Sequence, residues 1–499
     1  MIKHLGCVLM TYAGLDVGTS GCKLTVYDLD GKKLFQASRK YREQGSDGRR
    51  ELDPEVVAAN VLQVLEETGR NCPVEIQALA VASLGESVVC LDEEGNSLFP
   101  SMLTGDCRGI PETKWLIETI GAQRILEITG LPPNELYSLS KFIWMKRNTD
   151  AIDRAKYILF YEDYVGYLLT GKRMVSYSSA CRSMAFDISK KDWSQELLAL
   201  AGIRPEQMSR PAQAGTLIGT ILPDMAQKLH LPPTMRVVTG GHDQSCAALG
   251  SGLLDARSCE TSMGTCEFML LMLPRPSFDE YMIKNDFPCI PYVLPNSYLS
   301  SLEVTTCGIL KNWTMETFFS HIPDQKTFYR EIESRIRDLR TEVLVLPQFG
   351  SRGNPDLSMD ARGTITGLSI HTRPEEIYLA MLEGISFQLY LAFERLSLMC
   401  EKPERMIATG GGAATDAGLQ IRADIFNTRV VRLESDETGT LGCMLLAALA
   451  TGGYASLEEG IQRAVHVQQE FIPDPERVAY YAAKFAKYKE LYRRMYDFQ

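Results

Sequence analysis

One pattern constrains this chain more than any other. A strand, a glycine turn and a second strand occur near the start of each half. The first copy is GLDVGTSGCKLTVYD at 14–28, and the second is ETSMGTCEFMLLM at 260–272. A glycine turn between two apolar β-prone runs makes an antiparallel pair. Its recurrence points to a duplicated α/β core.

The rest of the chain fits that architecture. IQALAVAS at 76–83 reads as a buried strand. MRVVTGG from Met235 runs into GGHDQ and then a helix, the strand–turn–helix order in which α/β proteins bind ligands. MIATGGGAATDAGLQIRADIFN from Met406 repeats it. Asp53 followed by Pro54 starts a helix. VVCLDEEGNSLFP reads as a hairpin, and residues 111–170 as mainly helical. Pro374 to Ser397 has the spacing of a long buried helix, and an amphipathic helix begins near Asp474. The chain has 499 residues, too many for one ordinary core. Two α/β domains are expected, 1–250 and 251–499.

Charge and cysteine content narrow the function. A net charge of −11 disfavours a nucleic-acid partner, because phosphate backbones need clustered Lys and Arg. A nucleotide remains possible, since local backbone amides hold polyphosphates in acidic proteins. The 13 Cys are scattered without a CxxC pair, and the six His are dispersed. That pattern predicts reduced thiols in the cytoplasm. No apolar run reaches the roughly 18 residues of a membrane span. MIKHLGCVLM reads as a short extension with no cleavage site, and Met10 is an alternative start.

Four glycine-bearing turns carry the chemistry. In DVGTSGCK, Gly18 and Gly21 let the backbone approach a ligand, while Asp16, Thr19, Ser20 and Lys23 suit phosphate oxygens. A plain hairpin turn explains the same residues, and no Walker loop is present. SMGTCEF places Gly264 and Thr265 in a matching turn. TGGGAATD fits either a flat ring or phosphate at its glycines, or a tight connection capped by Thr415 or Asp416. In GGHDQ, Asp243 is either a helix N-cap or an unobstructed carboxylate that deprotonates an attacking hydroxyl. His242 reads as a packing or hydrogen-bonding neighbour.

The order of these motifs resembles the FGGY carbohydrate kinases, within the sugar kinase, actin and chaperone ATPase superfamily. The most specific part is GTITGLSIHTRPEEIYLAMLE, Gly363 to Glu383, with SLSKFIWMKRN as a second signature that departs at Leu136. The resemblance implies two ribonuclease-H-like, actin-like ATPase domains around a central cleft, and ATP-dependent phosphorylation of a small neutral sugar or polyol. Asp243 matches the family's catalytic base. Asp16, Thr19, Ser20 and Lys23 would face the γ-phosphate, with Gly264 and Thr265 opposite. Gly308 and Asn312 would lie near the nucleotide, and Gly411, Gly412 and Ala413 would line the adenine pocket. Asp16 and Asp243 would hold Mg²⁺, mainly through ATP. Glu86, Ser87, Asp106 and Gln244 would bind the acceptor.

The acceptor loop departs from the family. Glycerol kinases carry Arg-Glu-Thr where this chain has Gly85, Glu86 and Ser87, and an aromatic residue where it has Thr104. A Gly and a Thr in place of two large side chains predict an enlarged, uncharged pocket. Glu86 would accept hydrogen bonds from hydroxyls and repel an acid such as gluconate. D-xylulose is the default acceptor, and a glycerol- or erythritol-type polyol or a non-catalytic ATP-binding member the alternatives. The residues fix no assembly; a homodimer is carried as the expectation.

Overall fold

The computed structural model describes residues 10–358 and 361–496. The expected N-terminal extension lies almost wholly outside them.

The first glycine hairpin nucleates a six-stranded sheet. Thr11–Val17 runs antiparallel to Gly21–Asp28, and parallel to Ala78–Ser83, which in turn pairs in parallel with Arg236–His242. The second hairpin does the same in a seven-stranded sheet. Ser258–Met263 is antiparallel to Glu267–Leu273 and parallel to Arg405–Thr409. One topology therefore occurs twice, once in each half, as the recurring pattern predicts.

Two helices join the sheets. Asp243–Gly250 ends the first half, and Thr438–Ala450 comes from the second. The latter, TGTLGCMLLAALA, is apolar on every side and correspondingly buried. Glycine sets their approach. A Cβ on Gly442 would lie 1.9 Å from the Cys246 carbonyl oxygen, and one on Gly250 1.9 Å from that of Thr438. Any larger residue would force the helices, and with them the sheets, apart.

Most predicted elements occur where the periodicity places them. Asp53 caps Pro54–Asn71 by accepting from the amides of Glu55 and Val56. VVCLDEEGNSLFP is only partly a hairpin. Leu91 bridges Ser97, but Val88–Leu91 pairs along its whole length with the distant Tyr157–Phe160. Local turn chemistry lost to a longer, mostly buried partner. Among the described residues no helix is long and apolar enough to cross a membrane.

The signature region turns out to be packing. Glu383, inside the helix Pro374–Leu396, is buried against Lys484 of the last helix. A Cβ on Gly384 would lie 2.4 Å from the Val345 carbonyl oxygen.

Candidate active site

Sheet register gathers three carboxylates at one edge. Asp16 and Gly241 both pair with Ala82, and Val17 and His242 both pair with Ser83. Asp16, the loop after Ser83 that carries Glu86, and Asp243 therefore emerge together at the carboxyl ends of parallel strands.

Asp243 is not an N-cap. It is the first residue of its helix; His242 occupies the cap position and makes no side-chain cap bond. The Asp243 carboxylate accepts its neighbour's amide, Gln244 N at 2.6 Å. Its side chain is 38% exposed, against 8% for His242. Burial raises its pKa, His242 opposes the rise, and the negative charges of Asp16 and Glu86 add to it. His242 Nε2 lies 3.2 Å from Asp243 Oδ1, and burial lowers the imidazole's pKa, favouring the neutral ring. Gly240 and Gly241 are needed here. Side chains there would strike the Val81 carbonyl oxygen at 2.1 Å and Ser178 Oγ at 2.7 Å.

Asp16 is pushed up to about 6 by burial, which the positive Lys23 opposes and Glu437 reinforces. Among the described residues its buried Oδ1 has no hydrogen-bond partner. An orphaned carboxylate oxygen beside an exposed glycine turn suits a hard cation. Among the described residues no three His, Cys, Asp or Glu side chains cluster as a metal cage. A cation that keeps water and phosphate as most of its ligands needs no such cage, and a single free carboxylate oxygen fits one of that kind. Thr19 and Ser20 are exposed at the turn, which is held by Gly18 N donating to Gly21 O at 2.9 Å and Tyr41 Oη donating to Gly18 O at 2.6 Å. Lys23 is engaged otherwise than the sequence predicts. Its Nζ pairs with Glu437 at 2.8 Å, and Gln36 donates to the same carboxylate at 3.0 Å.

On the acceptor side, Arg182 changes the picture. Its Nε donates to Glu86 Oε1 at 2.6 Å, and its Nη2 contacts the same oxygen. Thr104 Oγ1 donates to Glu86 Oε2 at 3.0 Å. Burial alone would raise the Glu86 pKa, yet Arg182, with His242 and Lys141, holds it at about 2. The expected enlarged, uncharged pocket is therefore corrected. A Cβ on Gly85 would lie 2.7 Å from Arg182 Cγ and 2.6 Å from His242 Cδ2. Glycine at 85 makes way for a cation delivered from elsewhere in the chain.

The other acceptor candidates divide. Gln244 is half-buried beside Asp243. Ser87 is buried, and its hydroxyl donates to the Met102 carbonyl at 2.8 Å. Asp106 is buried and accepts from Arg108 Nε at 2.8 Å, Arg108 Nη2 at 2.6 Å and Arg50 N at 2.8 Å. Both shape the loop from beneath. Lys141, from the second signature, has its pKa pulled to about 8 by burial, against the pull of Glu86 and Asp106, and donates to the Leu136 carbonyl at 2.9 Å.

The nucleotide-side turns also meet by register. Ser262 pairs with Thr409, so Gly264 and Gly410 leave neighbouring strands at the same end. Gly410, at φ +77°, opens a single 3₁₀ turn over Gly411–Ala414. Gly411 has open space where a Cβ would be, and it borders a cleft of about 650 Å³ shared with Ala413, Asp416, Arg432, Ser435 and Asp436. Gly412 packs on Met263. Gly308 N donates to the carbonyls of Gly264 at 3.1 Å and Thr265 at 3.0 Å, so it braces the second turn. Asn312 is exposed one helical turn on.

Arg182 and Glu437 are the functional-site residues that sequence reasoning missed. A lone arginine among small and apolar residues, SSACRSMAF, was the available signal for the first; Glu437 carried none.

Comparison with known proteins follows the same division. The FGGY family of carbohydrate kinases matches by its N-terminal domain over residues 11–250 and by its C-terminal domain over 259–451. The chain is 28% identical over 495 residues to a xylulose kinase of Lactococcus lactis, covering 97% of each. It superposes with a TM-score of 0.89 on a ligand-bound xylulose kinase from Lactobacillus acidophilus, at 26% identity, covering 97% of this chain and 98% of the other. A gluconate kinase from the same organism gives the same TM-score, identity and coverage.

Proposed function

The chain belongs to the FGGY family of carbohydrate kinases, and from that premise we propose that it transfers the γ-phosphoryl group of ATP to a hydroxyl of a small neutral ketose, D-xylulose first, with Asp243 as the base. The observation that carries this is the register that sets Asp16, Glu86 and Asp243 at one sheet edge.

Asp243 takes the proton of the acceptor hydroxyl as that oxygen attacks the γ-phosphorus. The bond from the γ-phosphorus to the bridging oxygen breaks, and ADP leaves. Thr19, Ser20, Gly264 and Thr265 position the phosphates from the two hairpin turns. Gly411 and Ala413 border the base. Asp16, together with Asp243, would hold Mg²⁺, which would neutralise phosphate charge. Gln244 and the Glu86–Arg182 pair orient the acceptor. The boundary between halves falls near residue 250, in the segment between the helix ending at Gly250 and the strand starting at Ser258. The cytoplasm, where ATP is abundant, is the compartment of this reading.

A second reading, a glycerol- or erythritol-type polyol, draws on Arg182. It places a guanidinium on Glu86, standing in for the arginine that Gly85 lacks. Because Arg182 compensates the charge of Glu86, the carboxylate no longer repels an acid such as gluconate. ADP release coupled to oxidation of NADH, over D-xylulose, D-ribulose, erythritol, glycerol and gluconate, decides among them. Highest kcat/KM on D-xylulose supports the first reading. Preference for an alditol replaces it with the second, and no turnover on any of them rejects both.

A further inference from the structure

Lys311 lies in the first turn of the helix Gly308–Phe318 and is only 5% exposed. Among the described residues its ammonium has no hydrogen-bond or ion-pair partner. Its Nζ would be 3.2 Å from a Cβ on Gly412, and that same Cβ would touch Met263 at 2.7 Å. The ammonium therefore sits at the seam between the SMGT and TGGGA turns.

The carboxylates of the adjoining hairpin are committed elsewhere. Glu267 accepts from Arg422 Nη2 at 2.9 Å and from Thr261 at 2.8 Å. Glu260 accepts from Thr409. Lys23, the cation of the first glycine turn, is paired with Glu437 at 2.8 Å. The stem of Lys311 is buried while its ammonium is not sealed from water, so an uncompensated cation stands open to an arriving anion where the two turns meet. Lysine is a compact point charge suited to phosphate.

We propose that Lys311 binds the phosphate chain of the nucleotide, as the cation that the second half of the molecule supplies. This rests on the nucleotide-site reading above. It assigns the charge to Lys311 and removes it from Lys23.

The test is calorimetric titration of the full chain and of Lys311→Met with ADP, ATP and adenosine, in the presence of Mg²⁺. Methionine preserves length and suits a buried site. The expected result is a loss of at least ~10-fold in affinity for ADP and ATP with adenosine binding unchanged, as for removal of a charge-assisted phosphate contact. Undiminished ADP affinity overturns the proposal. An equal loss for adenosine also overturns it, because it assigns Lys311 to packing under the base. Should Lys311→Met not fold, Lys311→Gln is read by the same criteria. If the unmodified chain binds neither ADP nor ATP, the nucleotide-site reading itself fails. If it binds both and the variant matches it, only the Lys311 assignment fails.

Discussion

Arg182 and Glu86 form an ion pair inside the molecule, Nε to Oε1 at 2.6 Å, with side chains 12% and 5% exposed. They are 96 residues apart in the chain. Stacking of the guanidinium over Tyr137, 5.0 Å from its ring centre, fixes the pair from above. The loop after Ser83 thus presents a preorganised ion pair in place of a bare carboxylate.

Glu86→Ala leaves Arg182 buried and unpaired. We expect a stability loss of about 3 to 5 kcal/mol in denaturant unfolding. The double variant Glu86→Ala/Arg182→Met should lose clearly less than the sum of the two single changes. Additive losses would show that the pair is not coupled. Because the Glu86 pKa falls from 4.5 to about 2 on folding, its contribution is present above the unfolded value and is lost as pH drops through that interval.

Asp243→Asn should lower kcat at least ~100-fold while leaving ADP binding in place. In the unmodified protein, kcat/KM should fall on the acid side at a pH above the ordinary carboxylate value of 3.8, because burial raises Asp243 and only its ionised form takes a proton. With Asp16 nearby, that limb reports the two carboxylates together. A profile flat to pH 4 would contradict the assignment.

Asp16→Asn should separate stability from activity. The folded carboxyl titrates at about 6 against 3.8 unfolded, so ionisation opposes folding. The native group is most favourable below the unfolded value, and its stability is lost as pH rises through the folded one. At pH 7 the ligand-free asparagine variant should be more stable by about 2 to 3 kcal/mol, a gain that disappears near pH 4. It should be almost inactive. A drop in melting temperature at pH 7 would refute this.

Gly442→Ala should disrupt the junction of the two halves, since its Cβ would lie 1.9 Å from the Cys246 carbonyl oxygen. No rotamer change relieves a clash with backbone. A loss of more than about 3 kcal/mol, or failure to fold, is expected by circular dichroism. Gly452→Ala is unsuitable as a control because of its φ of +84°, whereas Gly411→Ala, with free space at its Cβ, should fold normally and weaken nucleotide binding.

The class, the duplicated hairpins and the order of the motifs were legible in the sequence because each is set by local rules. Alternating apolar runs make strands, glycine makes turns, and Asp53–Pro54 starts a helix as written. The candidate site was legible only where one residue carries its own meaning. Asp243 was ambiguous between a cap and a base until the helix was seen to begin at it. Gly85 read as empty space because a glycine announces a missing side chain and says nothing of what fills the gap.

Two α/β units with glycine turns at their strand ends follow from residue order alone, since periodicity and backbone freedom act over a few neighbouring residues. Which charges meet is settled in three dimensions. Arg182 reaches Glu86, Glu437 engages Lys23, and among the described residues Lys311 is left without a partner. Electrostatic pairing depends on distance through space, and the fold brings together groups whose separation along the chain carries no trace of it.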